Sequence, residues 1–149
     1  MIYLGTDRAG FELKEKIKKW LSEWDYEYED MGAYEYNKKD DYPDFISLVG
    51  EKVSADPENS KGIILGGSGQ GEAVVANKYK GVRAVIYYGG SKEMIIHMRE
   101  HDDANILSLG ADFIDESKAQ EVIKLWLETP FPNEERHVRR LQKIKQLEK

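Results

Sequence analysis

Short apolar runs alternate along the chain with longer stretches in which apolar residues recur every three or four positions. The first kind predicts β-strands and the second amphipathic α-helices, because side chains share a strand face every two residues and a helix face every ~3.6. IYLG at 2–5 is the first expected strand. Leu13, Ile17, Trp20, Leu21 and Trp24 follow at helical spacing and form one buried stripe, with lysines and glutamates on the other face. YEYEDM at 26–31 alternates like a strand. AYEYNKKDDYPD at 33–44 is polar and aromatic and reads as a loop, long for a mere connection, with Pro43 opening the next helix. GIIL at 62–65 and RAVIYY at 83–88 have the continuous apolar character of strands buried on both faces of a parallel sheet, and they bracket a helix over 72–78. A helix over 91–101, the strand NILSLG at 105–110, a helix over 117–128 and a closing helix after Pro132 complete the series.

Strands alternating with helices predict an α/β fold, a three-layer αβα sandwich around a doubly wound, Rossmann-like, five-stranded parallel sheet. A length of 149 residues with 40% hydrophobic content suits one domain over 1–149 with a single substantial core. Ligands of such sheets sit at the C-terminal ends of the strands, which selects 5–10, 66–71, 88–91 and 110–112 as site segments before any chemistry is considered.

Charge and composition narrow the partners. A net charge of -6 argues against a protein that grips nucleic acid by bulk charge, while leaving small anionic substrates open. The N-terminus lacks a basic segment followed by an apolar signal core, and no window approaches the ~20 apolar residues of a membrane span, so a cytoplasmic protein with no membrane partner is expected. The chain contains no cysteine, which excludes disulfides, thiolate metal sites and cysteine nucleophiles.

The densest glycine cluster is GGSGQGE at 66–72, between an expected strand and an expected helix. A dinucleotide fingerprint would need a third glycine three positions beyond Gly69, and that position is Glu72. A phosphate-binding loop of the G-x-x-x-x-G-K-[ST] type would need a lysine where Glu72 stands and a hydroxyl where Ala73 stands. What remains is a loop of exposed N–H groups with the Ser68 hydroxyl, suited to one small anion or a developing oxyanion. Glu72 is then either a chemical group or a carboxylate favoured in a helix first turn by the dipole.

Near the C-terminus, ERHVRR at 135–140 places Arg136 and Arg140 on one helical face, with His137 and Arg139 pointing elsewhere. Two guanidinium forks side by side suit a phosphate monoester, and a solvated helix paired with nearby glutamates accounts for them equally well. His101, where a helix ends and NILSLG begins, reads either as a proton shuttle or as a cation at a helix C-terminus. No role follows for His97. Tyr34, Tyr36, Tyr87 and Tyr88 line an interface or a pocket, and periodicity leaves that choice open.

Taken together, GTDRAGFELKEKI, DDYPDF, GIILGGSGQGEAVVANKYKGVRA, REHDDANILSLGA and TPF…RHVRRLQKI resemble the type B ribose-5-phosphate isomerase family, which includes the galactose-6-phosphate and allose-6-phosphate isomerases. The match runs in order from Met1 to about Ile144. It implies an aldose–ketose isomerase that uses no metal or cofactor and works as a homodimer or tetramer with sites shared between subunits. Many members carry a cysteine base where this chain has Gly66, and one branch instead pairs glycine there with a glutamate after the loop. This chain resembles that branch.

The resemblance implies roles residue by residue. Glu72 would carry the proton between C2 and C1, and His101 would open the furanose by proton transfer at the ring oxygen, with Asp7 positioning hydroxyls. The N–H groups of Gly67, Gly69 and Gly71 with Ser68 would hold the cis-enediolate, Arg136 and Arg140 would clamp the phosphate, and Tyr42 would line the sugar pocket. An unperturbed glutamate, with a pKa of ~4.3, is already ionised at neutral pH, and a helix first turn would hold it low, so burial must supply basicity. Three positions depart from the pattern. Arg8 stands where a histidine is usual, Asp102 where an asparagine usually supports the substrate, and Asp112 where many members of the glutamate branch carry an arginine. A cation gained at 8 and lost at 112 keeps the positive charge of the pocket and changes its geometry, and pairing of Arg8 with Asp102 would relieve the cost of the new carboxylate. Ribose 5-phosphate is the expected aldose. A six-carbon phosphate, an unphosphorylated sugar, or binding of a phosphosugar without turnover are the alternatives.

Overall fold

In the computed structural model, which describes residues 1–148, the expected strands form as β1 (Ile2–Thr6), β2 (Tyr28–Asp30), β3 (Lys61–Gly66), β4 (Ala84–Tyr87) and β5 (Ile106–Gly110). The helices are α1 (Phe11–Glu23), α2 (Tyr42–Ala55), α3 (Gln70–Ala76), α4 (Glu93–Glu100), α5 (Glu116–Glu128) and α6 (Glu135–Gln146). The sheet is parallel throughout, in the order β2-β1-β3-β5-β4. Parallel pairing needs a crossover on one face or the other after each strand, and the apolar stripes of the helices decide which. Ile17, Trp20 and Leu21 of α1, Ile95 and Met98 of α4, and Val122, Ile123 and Trp126 of α5 pack with Leu4, Ile63, Leu65, Leu107 and Leu109 on one face. Ile46, Val49 and Val53 of α2 and Ala76 of α3 pack with Ile64 and Ile106 on the other. The result is the expected three-layer sandwich.

This winding fixes where a crevice opens. β3 sends its chain to one face through α3, while both of its neighbours send theirs to the other, β1 through α1 and β5 through α5. Loops that part company at adjacent strand ends leave a cleft between them, the topological switch point of a doubly wound sheet. The cleft lies beside Gly66, at the end of β3.

Two sequence readings are corrected. RAVIYY is not buried on both faces: β4 is an edge strand, and Ala84, Val85 and Ile86 are half-buried, because only one neighbour covers their ladder. Nor does every lysine of α1 face water. Lys14 is completely buried, its ammonium 2.6 Å from Asp30 Oδ1 and donating also to the Ala33 carbonyl. A buried ammonium is tolerated when its donors are met in this way, and the pair ties α1 to the turn after β2. That turn in turn braces the end of β1, through Thr6 N to Gly32 O at 2.9 Å and Ala33 N to Thr6 O at 2.8 Å. Among the described residues no helix is long and apolar enough to cross a membrane.

Candidate active site

The glycine loop hangs from the C-terminal end of β3, and its shape follows from three close contacts. Gly69 caps α3 with φ 79°, a left-handed conformation that a side chain disfavours, and its carbonyl is held by Ser108 Oγ at 2.5 Å and by Ala73 N at 3.2 Å. Ser68 Oγ accepts from Gln70 N at 3.4 Å. At Gly66 the reason for glycine is volume: a Cβ there would overlap the Glu72 carboxylate itself. Glu72 projects from the first turn of α3 back over the strand end, and it is only 5% exposed. Burial pushes its pKa above the usual glutamate value, against the pull of its own backbone N–H, and the nearby Asp7 charge raises it further. The basicity that the helix position alone would have withheld is therefore supplied by desolvation.

Across the cleft, the end of β1 presents Asp7 and Arg8. Thr6 Oγ1 reaches the Leu65 carbonyl at 3.1 Å, which locks the β1 end to the β3 end. Asp7 caps the short 3-10 turn at Arg8–Gly10 by accepting from Ala9 N at 3.0 Å, and it is buried. Its pKa is also raised, chiefly by burial; the Ala9 bond opposes this, Asp40 adds to it and Arg8 lowers it. Arg8 is exposed and its partner is Asp40, which accepts from Arg8 N at 3.2 Å and lies 3.9 Å from its guanidinium. Asp102 is not that partner within the chain. Tyr42 packs its phenol against the loop, with its Oη 2.6 Å from where a Cβ at Gly71 would stand. Asp112 stands over the other side, Oδ2 2.8 Å from where a Cβ at Gly67 would be, with its N–H donating to the Gly67 carbonyl at 3.1 Å. Glu72, Ser68, Asp7, Arg8, Tyr42, Gly67, Gly69 and Gly71 thus lie on segments that meet at the C-terminal ends of β1 and β3.

The remaining expected residues lie elsewhere. α4 runs from the C-terminal end of β4 back to the N-terminal end of β5, so His101, which caps it, lies at the opposite end of the sheet from Glu72. Five residues of strand rise ~16 Å, so one chain does not bring these two groups together. Asp102 beside it is exposed. Arg136 and Arg140 project outward from α6 at that same end, with Arg136 Nε 3.5 Å from Glu134. His137 turns inward, 4% exposed, and stacks on His101 with ring centroids 4.4 Å apart. Toward its C-terminus α6 is tied down by the Glu148 carboxylate, which accepts from Gly81 N at 3.0 Å.

Sequence reasoning missed several residues that shape these groups. Ser108, which pins the Gly69 carbonyl, was visible only as a lone hydroxyl within an apolar strand. Asp40, whose Oδ2 is buried without a hydrogen-bond partner, carried no signal beyond its place in DDYPD. The contact of His137 with His101 spans 36 positions and has no local signature. Among the described residues no cluster of three or more histidines or carboxylates is arranged to hold a metal ion.

Known proteins resemble this chain over nearly its whole length. The family described as Ribose/Galactose Isomerase matches residues 2–144. Ribose-5-phosphate isomerase B of Mycolicibacterium paratuberculosis is 36% identical over 148 residues, covering 99% of this chain and 91% of that one. Among solved structures, ribose-5-phosphate isomerase B of Mycoplasma genitalium with bound ribulose-5-phosphate superposes with a TM-score of 0.93 at 34% identity, over 97% of this chain and 93% of that one. The Clostridium thermocellum enzyme of the same name gives 0.91 at 36% identity, over 99% and 96%. With its parallel sheet, its cleft at β3 and a match over nearly its whole length, the chain belongs to the ribose/galactose isomerase family.

Proposed function

We propose that this chain is a cytoplasmic, single-domain isomerase that interconverts ribose 5-phosphate and ribulose 5-phosphate, at sites shared between the two copies of a homodimer. The observation that carries the reading is the fit of Glu72 against Gly66: a buried carboxylate with raised pKa occupies the volume beside the strand end that a side chain at 66 would otherwise fill. As the furanose opens, the bond from C1 to the ring oxygen breaks, His101 of one copy gives the ring oxygen a proton and regains the one that the C1 hydroxyl loses as the C1 carbonyl forms, and Asp7 of the other copy orients the hydroxyls. Glu72 takes the proton from C2, the electron pair moves into the C1–C2 bond, and the carbonyl oxygen at C1 becomes the enediolate oxygen. The N–H groups of Gly67, Gly69 and Gly71 with the Ser68 hydroxyl stabilise that charge as it develops. The proton on the C2 hydroxyl passes to the C1 oxygen as the C2 carbonyl forms, and Glu72 returns its proton to C1, so the isomerisation balances without any other reactant. Arg136 and Arg140 hold the phosphate. The sharing of the site is supported by the placement of the two residue groups at opposite ends of the sheet, since only a second copy can bring His101 and the arginines to the Glu72 cleft.

Asp112 beside Gly67 favours a second reading of the same chemistry, in which the aldose is a different one, a six-carbon phosphate or an unphosphorylated sugar. A panel of aldoses with and without a terminal phosphate separates the two. Ribose 5-phosphate is expected to turn over fastest, and Arg136→Ala with Arg140→Ala is expected to raise KM for phosphorylated sugars only. Faster turnover of another aldose by the wild-type protein would replace the substrate named here.

A further inference from the structure

The chain has three histidines, and all three stand in one column. His101 is the central ring, 4.8 Å from His97 with planes 16° apart and 4.4 Å from His137 with planes 13° apart. His97 comes from the preceding turn of α4 and His137 from α6, so two elements far apart in sequence meet on one imidazole. His137 is buried, and its Nε2 has no hydrogen-bond partner; the Glu134 carboxylate lies 3.6 Å away. The other charges around the column are Asp102, next to His101 in the chain, and Arg136 and Arg140 on α6.

An imidazole in contact with rings on both of its neighbours keeps its plane fixed, so its nitrogens exchange protons only at the ring edge. Adjacent imidazoles also cannot all be charged without repulsion, whereas one imidazolium against neutral rings is favourable. We propose that His97 and His137 are positioning residues for His101: stacked on either side of it, they fix the plane of its ring, so that it meets the substrate only by its edge. The inference rests on the ring-opening role given to His101 above. The contact is also electrostatic: the pKa of His137 is lowered by burial, by His101, by Arg136 and by Arg140, against the opposing pull of Glu134.

Three histidines give three resolvable ring C–H resonances, so the column can be titrated by NMR one ring at a time in the intact protein. His101→Phe keeps a flat ring in the stack and removes the charge. The expected result is a rise in the titration midpoint of His137. His137→Ala and His97→Ala take away a stacked ring, and each is expected to lower kcat for ribose 5-phosphate with KM little changed, whereas His137→Phe and His97→Phe keep the ring and are expected to restore kcat. A His137 midpoint that stays in place in His101→Phe means the rings titrate independently, and overturns the proposal. A moved midpoint with kcat unchanged in both His137→Ala and His97→Ala overturns the positioning role, and full kcat in His101→Phe removes instead the ring-opening role on which it rests.

Discussion

At the scale of single residues, the proposed base is a carboxylate in a helix first turn. The helix dipole and a backbone N–H favour the ionised form, and burial opposes it; burial wins, and Asp7 adds to it. Two consequences follow. As the proposed base, Glu72 must be ionised to accept the C2 proton, so the low-pH limb of the kcat profile is expected above the ordinary glutamate range, and Asp7→Asn is expected to move it down by removing a negative neighbour. Steady-state rates of both proteins across pH check this, and a limb that does not move would detach Asp7 from the base. The stability sign runs the other way from a salt-bridged acid. A folded-state pKa raised above the unfolded one means that the group's contribution is fully present below the unfolded pKa and is lost as pH rises through the folded pKa. Glu72→Gln is therefore expected to raise the thermal midpoint near neutral pH and to lose that advantage in acid, as thermal melts at the two pH values would register.

At the scale of elements, the strands and helices were legible in the periodicity because each apolar run or stripe is buried by a named partner layer, and the boundaries shifted by only a few residues. Periodicity could not tell a central strand from an edge strand, since RAVIYY is as apolar as GIIL and differs only in having one neighbour in the sheet. It also could not reveal Lys14, whose burial depends on Asp30 and Ala33 arriving from another element. The glycine loop was more legible: the absent cysteine and the spacing to Glu72 singled out the end of β3, and the structure adds why glycine stands there. Gly66→Ala tests that reason. The added methyl meets the far end of a flexible side chain rather than backbone, so the fold can give way and the thermal midpoint should change little, while Glu72 is pushed from its place. A misplacement of about 1 Å is expected to cost roughly 10²-fold in kcat. An alanine variant with unchanged kcat would show that the Glu72 position is not the one that matters.

At the scale of the whole molecule, the sheet separates the expected catalytic groups more sharply than the sequence could indicate. Spacing along the chain says nothing about which end of a strand a helix terminus reaches; α4 carries His101 the length of the sheet away from Glu72 because a parallel crossover must return to its starting end. The Arg8 partner was likewise out of reach of sequence, since it depends on the fold of 33–44 bringing Asp40 to the end of β1. The central claim is that a working site takes Glu72 from one copy and His101 from another. It is tested most directly by co-expressing Glu72→Gln and His101→Asn chains and measuring turnover of ribose 5-phosphate by the mixture. Each variant alone is expected to be nearly inactive, and random pairing leaves one intact site in half of the dimers, so the mixture should recover about a quarter of wild-type activity per chain. A mixture no more active than its two parents would contradict a site shared between copies.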